Sequence, residues 1–189
     1  KPAIGMYGLS NNIVNWDFEM KDPGFFKLPE TGRIYRGWRK GGHGKVNMHK
    51  AFLVSSNTYF FSLAYQADIG ELSNHLTNLG FGQKVCLDCF DEEQALVPTP
   101  EWKYNTMNAG WVKGDTVNLG IGQGYLLVTP MQLANYASLL AKKGIFIEPA
   151  IVSQDSKKKS IKIWKNDKFN DSDWSNMHRA LMGVIESDY

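Results

Sequence analysis

The run Thr58-Tyr59-Phe60-Phe61-Ser62-Leu63-Ala64-Tyr65 is apolar nearly all round. A helix at the surface of a domain carries one apolar stripe, whereas a helix apolar on every side has to be buried. The chain must therefore supply enough other elements to enclose this segment. The pattern is already helical from residue 46, with Met48, Ala51, Phe52 and Ser55 on one face. Ser55-Ser56-Asn57 falls where this first helix gives way to the buried one.

Other segments fit the role of an enclosure. Residues 2–9 are small and apolar, and Pro2 is tolerated only near a helix start, which places Lys1 in or beside the first turn. Residues 71–79 form an amphipathic helix with Leu72, Leu76 and Leu79 inward and Gly80 as the stop. Thr129-Pro130-Met131-Gln132 is a capping box with Pro in the first turn. Leu133, Tyr136, Ala137, Leu140 and Ala141 follow as a core stripe that ends at Gly144. Residues 145–152 and 161–164 read as a β-hairpin around a polar turn, and Trp174, Met177, Leu181 and Ile185 mark a last helix.

Two regions read as less regular, residues 10–50 as a long ordered loop or a short hairpin. Residues 10–50 are punctuated by Asp22-Pro23-Gly24, Leu28-Pro29 and Gly41-Gly42-His43-Gly44, with Trp16, Phe18, Phe25, Phe26, Tyr35 and Trp38 between them. Long ordered excursions of this kind usually border a site. Residues 80–128 are expected to be mostly loop. No repeat or linker divides the chain, so residues 1–189 read as one α/β unit dominated by helices.

Composition excludes several classes. With 43% apolar and 21% charged residues the chain is globular. A net charge of +2 and no basic cluster with interleaved aromatics argue against nucleic acid. Lys157-Lys158-Lys159 reads as a solvated turn. No apolar stretch reaches the roughly 18 residues of a membrane span. Cys86 and Cys89 form C-x-x-C, but the acidic neighbours would raise a thiol pKa, and one pair cannot complete a four-ligand zinc site. They read as surface thiols or as one disulfide.

Candidate chemistry sits at Lys1, Ser55 and Asn57. A serine hydroxyl needs a base to become a nucleophile, and a lysine kept neutral by burial can be that base. A second hydroxyl in reach can relay the proton, a role that suits Ser55. Asn57 offers one amide acceptor and two donors, enough to bind a substrate amide and hold a lysine. The plain alternative is that Ser55 and Ser56 cap the next helix and that Lys1 is a solvated side chain.

The order of several motifs goes further. Lys1-Pro2 is followed by Asp22-Pro23-Gly24-Phe25-Phe26-Lys27-Leu28-Pro29, Tyr35-Arg36-Gly37-Trp38, Gly42-His43-Gly44 and Ser55-Ser56-Asn57. Leu79-Gly80-Phe81-Gly82, Pro98-Thr99-Pro100-Glu101-Trp102-Lys103, Gly120-Ile121-Gly122-Gln123-Gly124-Tyr125 and Thr129-Pro130 come next. In this order they resemble the transpeptidase domain of class B penicillin-binding proteins, in the branch serving cell elongation and shape in Gram-negative bacteria. The likeness runs to about Gly144 and fades after Pro149.

The resemblance implies a serine β-lactamase/transpeptidase-like fold, of which this chain is mainly the helical subdomain with a small β-hairpin. It implies that Lys1 ends a Ser-x-x-Lys motif as general base, that Ser55 relays a proton, and that Asn57 positions the acyl donor. The nucleophilic serine is expected just before Lys1 and the Lys-(Ser/Thr)-Gly strand after Tyr189, so the domain is expected to be truncated at both ends and inactive alone. The implied partners are peptidoglycan stem peptides, β-lactam antibiotics, and the glycosyltransferase and membrane proteins of the elongation machinery. The implied location is the periplasm, on an inner-membrane anchor. No cofactor is implied.

One departure concerns zinc. Some members of the family hold a zinc ion beside the site through positions that match Asp22, Gly37, His43 and Ser56, with Asp at the second and Cys at the fourth. Only two of these can ligate here, so no metal is expected, and His43 is expected to bond within its own glycine-rich turn. Two rival functions share parts of the pattern. A β-lactamase would use a deacylating Glu-x-x-x-Asn loop, a form matched by Glu101 and Asn105. A non-enzymatic β-lactam sensor or wall-binding module would use the aromatics of residues 16–38 as a contact surface.

Overall fold

Helix α3 (Asn57–Tyr65) is the buried centre that its all-apolar sequence demands. Tyr59, Phe60 and Leu63 are each 1% exposed or less. Burying one such side chain contributes about 1.5–3 kcal/mol. The computed structural model describes residues 1–86, 88–152, 161–164 and 168–186, with the backbone alone at 161–163. The Lys157-Lys158-Lys159 run lies outside the described residues.

Around α3 pack α1 (Pro2–Ser10), α2 (Met48–Leu53) and α6 (Lys113–Leu119), with α8 (Asp171–Glu186) laid against α2. α4 (Ile69–Asn78) closes the far side of α1 with Leu72 and Leu76, and Leu79 is buried just beyond it. The α1–α3 contact depends on Gly8. A Cβ there would lie 2.6 Å from Leu63 Cδ1, so the bare backbone of α1 rests directly on α3. The two helices run side by side in the same sense, which brings Lys1 to the first turn of α3.

The segment expected to be a long ordered loop or a short hairpin, residues 10–50, contains four short strands in two antiparallel pairs. β1 (Met20–Asp22) pairs antiparallel with β4 (Gly44–Val46), and Asp22 faces Gly44. β2 (Phe25–Lys27) pairs antiparallel with β3 (Ile34–Arg36). The strands have three residues each, too short for a periodicity to show in sequence. Gly42 ties them together. Its φ is +73°, and a Cβ would run into the backbone of Asp22 and Gly24.

Residues 80–128 are mostly loop, as expected, with α5 (Pro100–Met107) and α6 set into them. α5 has a start signal, with Thr99 accepting a hydrogen bond from the Trp102 amide and Pro100 next. Its faces are polar, and only Lys103 is buried, so it has no apolar stripe to read. α6 is short and is stabilised by burial of Val117 and Leu119 against α3.

α7 (Pro130–Ala141) starts with the expected capping box, but its buried face is rotated. Gln132, Asn135, Tyr136, Leu139 and Leu140 face inward, while Leu133, Ala137 and Ala141 are exposed. The Gln132 amide makes this possible by donating to the carbonyls of Gln83 and Gln94, each at 2.8 Å. The hairpin β5 (Ile145–Ile147) and β6 (Ile161–Ile163) is antiparallel as expected. In α8, Trp174, Met177 and Ala180 are buried, whereas Ile185 is 87% exposed and belongs to no core. Cys86 and Cys89 are joined in a disulfide. Between them Asp88 accepts hydrogen bonds from the amides of Ile151 and Val152.

Candidate active site

Lys1 is the N-cap residue of α1, and its ammonium reaches across to the α2–α3 junction. Its Nζ donates to Ser55 Oγ at 2.7 Å, to the Ser55 carbonyl at 2.9 Å and to Asn57 Oδ1 at 2.6 Å. All three residues singled out in the sequence therefore converge. Burial pushes the Lys1 amine down to about 8. The N-terminus of α3 also lies here, and its positive dipole end acts in the same direction. An amine with that pKa is partly neutral near physiological pH and can take a proton from a hydroxyl.

Ser55 owes its position to the way α2 ends. Val54 is the C-cap of α2 and Ser55 follows with φ +50°. The Ser55 amide bonds to the Phe52 carbonyl at 3.0 Å, and the Ser56 amide to the Ala51 carbonyl at 2.9 Å. This is a Schellman motif, and the left-handed position that glycine normally takes is filled by a serine. Ser55 is thus outside α2 and exposed, rather than on the face shared by Met48, Ala51 and Phe52. The capping alternative divides cleanly. Ser56 caps α3 by accepting from the Tyr59 amide at 3.2 Å, and Ser55 does not.

The next shell contains a group that sequence reasoning treated only as a remnant of a metal site. Asp22, 2% exposed, accepts a hydrogen bond from Ser56 Oγ at 2.6 Å and one from His43 Nδ1 at 2.9 Å. The Gly24 amide donates to its other oxygen at 2.7 Å. Burial pushes the Asp22 carboxyl up, but the bonds from Ser56, His43 and Gly24 outweigh it and hold it below the usual range. His43 therefore bonds to the end of β1 and not within its glycine-rich turn. The ionised Asp22 carboxylate is a stronger acceptor than a backbone carbonyl of the turn.

These residues do not fit a zinc ion. Ser56 Oγ and His43 Nδ1 are committed to the same Asp22 oxygen, and the Ser56 hydroxyl also serves as a helix cap. Gly37 has no ligating side chain. Four-coordinate zinc needs two donors more than the set contains.

Trp38 was legible only as one of several scattered aromatics. Its Nε1 donates to the Val54 carbonyl at 3.0 Å, and its ring lies 5.2 Å from that of His43. Glu101 and Asn105 are exposed on α5, outside the hydrogen-bond set of Lys1.

Comparison with known proteins settles the family. The model of the penicillin binding protein transpeptidase domain matches residues 1–189. The chain belongs to the penicillin-binding protein transpeptidase family. Its relatives include the peptidoglycan D,D-transpeptidase MrdA of Acinetobacter baumannii, 39% identical over 99% of this chain and 29% of that protein. Among solved structures, Pseudomonas aeruginosa PBP2 in complex with WCK 5153 is similar at 36% identity, with a TM-score of 0.84, over 96% of this chain and 41% of that one. PBP2 of Helicobacter pylori, solved in complex with MreC, is similar at 30% identity, with a TM-score of 0.82, over 97% of this chain and 33% of that one. The chain thus spans less than a third of the length of the curated relative. The serine acyltransferase fold of these transpeptidase domains is the fold described above.

Proposed function

We propose that this chain forms part of a serine D,D-transpeptidase that cross-links peptidoglycan, with Lys1 as general base, Ser55 as proton relay and Asn57 as the group that positions the acyl donor. The observation that carries the reading is the convergence of the Lys1 amine on Ser55 Oγ and Asn57 Oδ1. A serine that precedes Lys1 by three residues, on the same helical face, attacks the carbonyl of a D-alanyl-D-alanine bond. Its proton passes to neutral Lys1. The tetrahedral adduct collapses, the C–N bond breaks, and D-alanine leaves with a proton delivered through Ser55. The side-chain amine of a second stem peptide then attacks the acyl-enzyme, which restores the serine and forms the cross-link. β-Lactams acylate the same serine and are released slowly.

The working place is the periplasm, on an anchored protein. No helix among the described residues is long and apolar enough to cross a membrane. The H. pylori relative is solved with MreC, which supports a place for this protein among the elongation machinery. Intact-mass spectrometry after incubation with benzylpenicillin tests the reading on the full-length protein. One stable adduct on a serine three residues before Lys1, together with transfer of a stem peptide to an amine, is expected. Rapid release of the drug would instead indicate a β-lactamase, and a stable adduct without transfer would indicate a sensor.

A further inference from the structure

Ser55 holds a backbone conformation that costs a non-glycine residue of order 1 kcal/mol or more, and such residues persist only where their surroundings over-determine them. The surroundings are specific. Residue 54 on one side of Ser55 and residue 56 on the other are each gripped from the segment of residues 22–43. Trp38 Nε1 holds the Val54 carbonyl at 3.0 Å, and Asp22 Oδ2 holds the Ser56 hydroxyl at 2.6 Å. The two grips are joined to each other, because His43 bonds to Asp22 and its ring packs on Trp38. Asp22 is itself fixed by the Gly24 amide and by the close approach of Gly42.

We propose that Asp22 and Trp38 are positioning residues for the transpeptidase reaction, a two-point clamp that keeps Ser55 left-handed so that its hydroxyl meets the Lys1 amine. The inference rests on the reading of Lys1, Ser55 and Asn57 given under the proposed function. It also gives the Asp22–His43–Ser56 cluster a task that requires no metal. The carboxylate bridges the β1–β4 pair and the α3 cap directly, through hydrogen bonds to an ionised acceptor, which are among the stronger ones available to a buried side chain. Neither residue touches the reacting atoms. Each acts through the backbone or side chain beside Ser55, and misplacing a relay by about 1 Å can slow a reaction by roughly 10²-fold.

The test is the acylation rate of the full-length protein by a fluorescent penicillin at saturating concentration, read together with the fraction of molecules finally labelled. Asp22→Asn, Ser56→Ala and Trp38→Phe are each expected to lower the rate constant about tenfold or more, with most molecules still labelled in the end. Asp22→Asn combined with Ser56→Ala is expected to be slowed by less than the product of the two single effects, since both changes disrupt the Asp22–Ser56 hydrogen bond, while Asp22 also holds His43 and Ser56 also caps α3. Trp16→Phe removes an indole hydrogen bond to Asp173 that involves no residue of the clamp and is expected to leave the rate unchanged. A purely structural role would lower the labelled fraction and spare the rate constant, and that result would overturn the proposal. So would unchanged rates in both Asp22→Asn and Trp38→Phe. If Asp22→Asn does not fold, Ser56→Ala and Trp38→Phe decide the matter. Absence of any adduct on the wild-type protein would overturn the functional reading itself, and the clamp with it.

Discussion

Asn57 Oδ1 accepts from the Lys1 ammonium at 2.6 Å, although 56 residues separate the two. The amide is thereby oriented with its oxygen toward the lysine, and on the proposed mechanism its NH2 group meets a substrate carbonyl. Asn57→Ala removes both functions at once. Acylation by a β-lactam is expected to fall on the order of 10²-fold or more, with the melting temperature little changed. Stopped-flow acylation with parallel thermal melts checks this. An unchanged rate would reduce the Ser-x-Asn segment to a helix cap.

Burial pushes the Lys1 amine down to about 8, and on the proposed mechanism its neutral fraction sets the amount of available base. Below that pH the acylation rate is expected to rise nearly tenfold per unit, and to level off above it. Lys1→Arg, which stays charged throughout, is expected to abolish acylation at every pH. A wild-type profile that is flat between pH 6 and 9 would remove Lys1 from the role of base.

Protein purified without chelator is expected to carry no stoichiometric zinc, and EDTA is expected to leave its acylation rate unchanged. Elemental analysis decides this. One zinc per chain, lost on His43→Ala, would show that residues other than Gly37 and Ser56 complete a site.

His75 is buried in α4 and its Nε2 lies 2.9 Å from the Ala3 carbonyl. Burial pushes its pKa down from 6.5 to about 4. Between those values the unfolded chain binds more protons than the folded one, so stability is full above pH 6.5 and falls as the pH drops toward 4. The loss amounts to roughly 3 kcal/mol. His75→Gln keeps a donor for the Ala3 carbonyl without the titration. Its melting temperature is expected to drop less than that of the wild type across this window. Parallel drops in the two proteins would assign the acid sensitivity to other groups.

How much was legible in the sequence depended on the range of the interaction. The buried α3, the capping box of α7 and the start of α1 are local patterns, and each could be read directly. Lys1, Ser55 and Asn57 could be placed together through the order of motifs. The rotated face of α7 could not, because it depends on two distant carbonyls that satisfy Gln132. Asp22 posed the same problem at larger separation. A carboxylate beside Pro23-Gly24 looks like turn chemistry, and nothing local reveals that it will be buried against a hydroxyl 34 residues away. The left-handed Ser55 was hidden for a different reason. Only a glycine announces that conformation in a sequence, and here the glycine is replaced.

That replacement sets folding and activity against each other at a single residue. The turn after α2 would be satisfied by glycine, which adopts φ +50° without the steric cost borne by serine. Ser55→Gly is therefore expected to raise the stability of the protein by up to about 1 kcal/mol while removing the hydroxyl that Lys1 holds. A screen for thermostable variants would favour this change, and a screen on β-lactam acylation would reject it. On the proposed reading, the left-handed serine trades a small loss of stability for a hydroxyl within reach of the Lys1 amine.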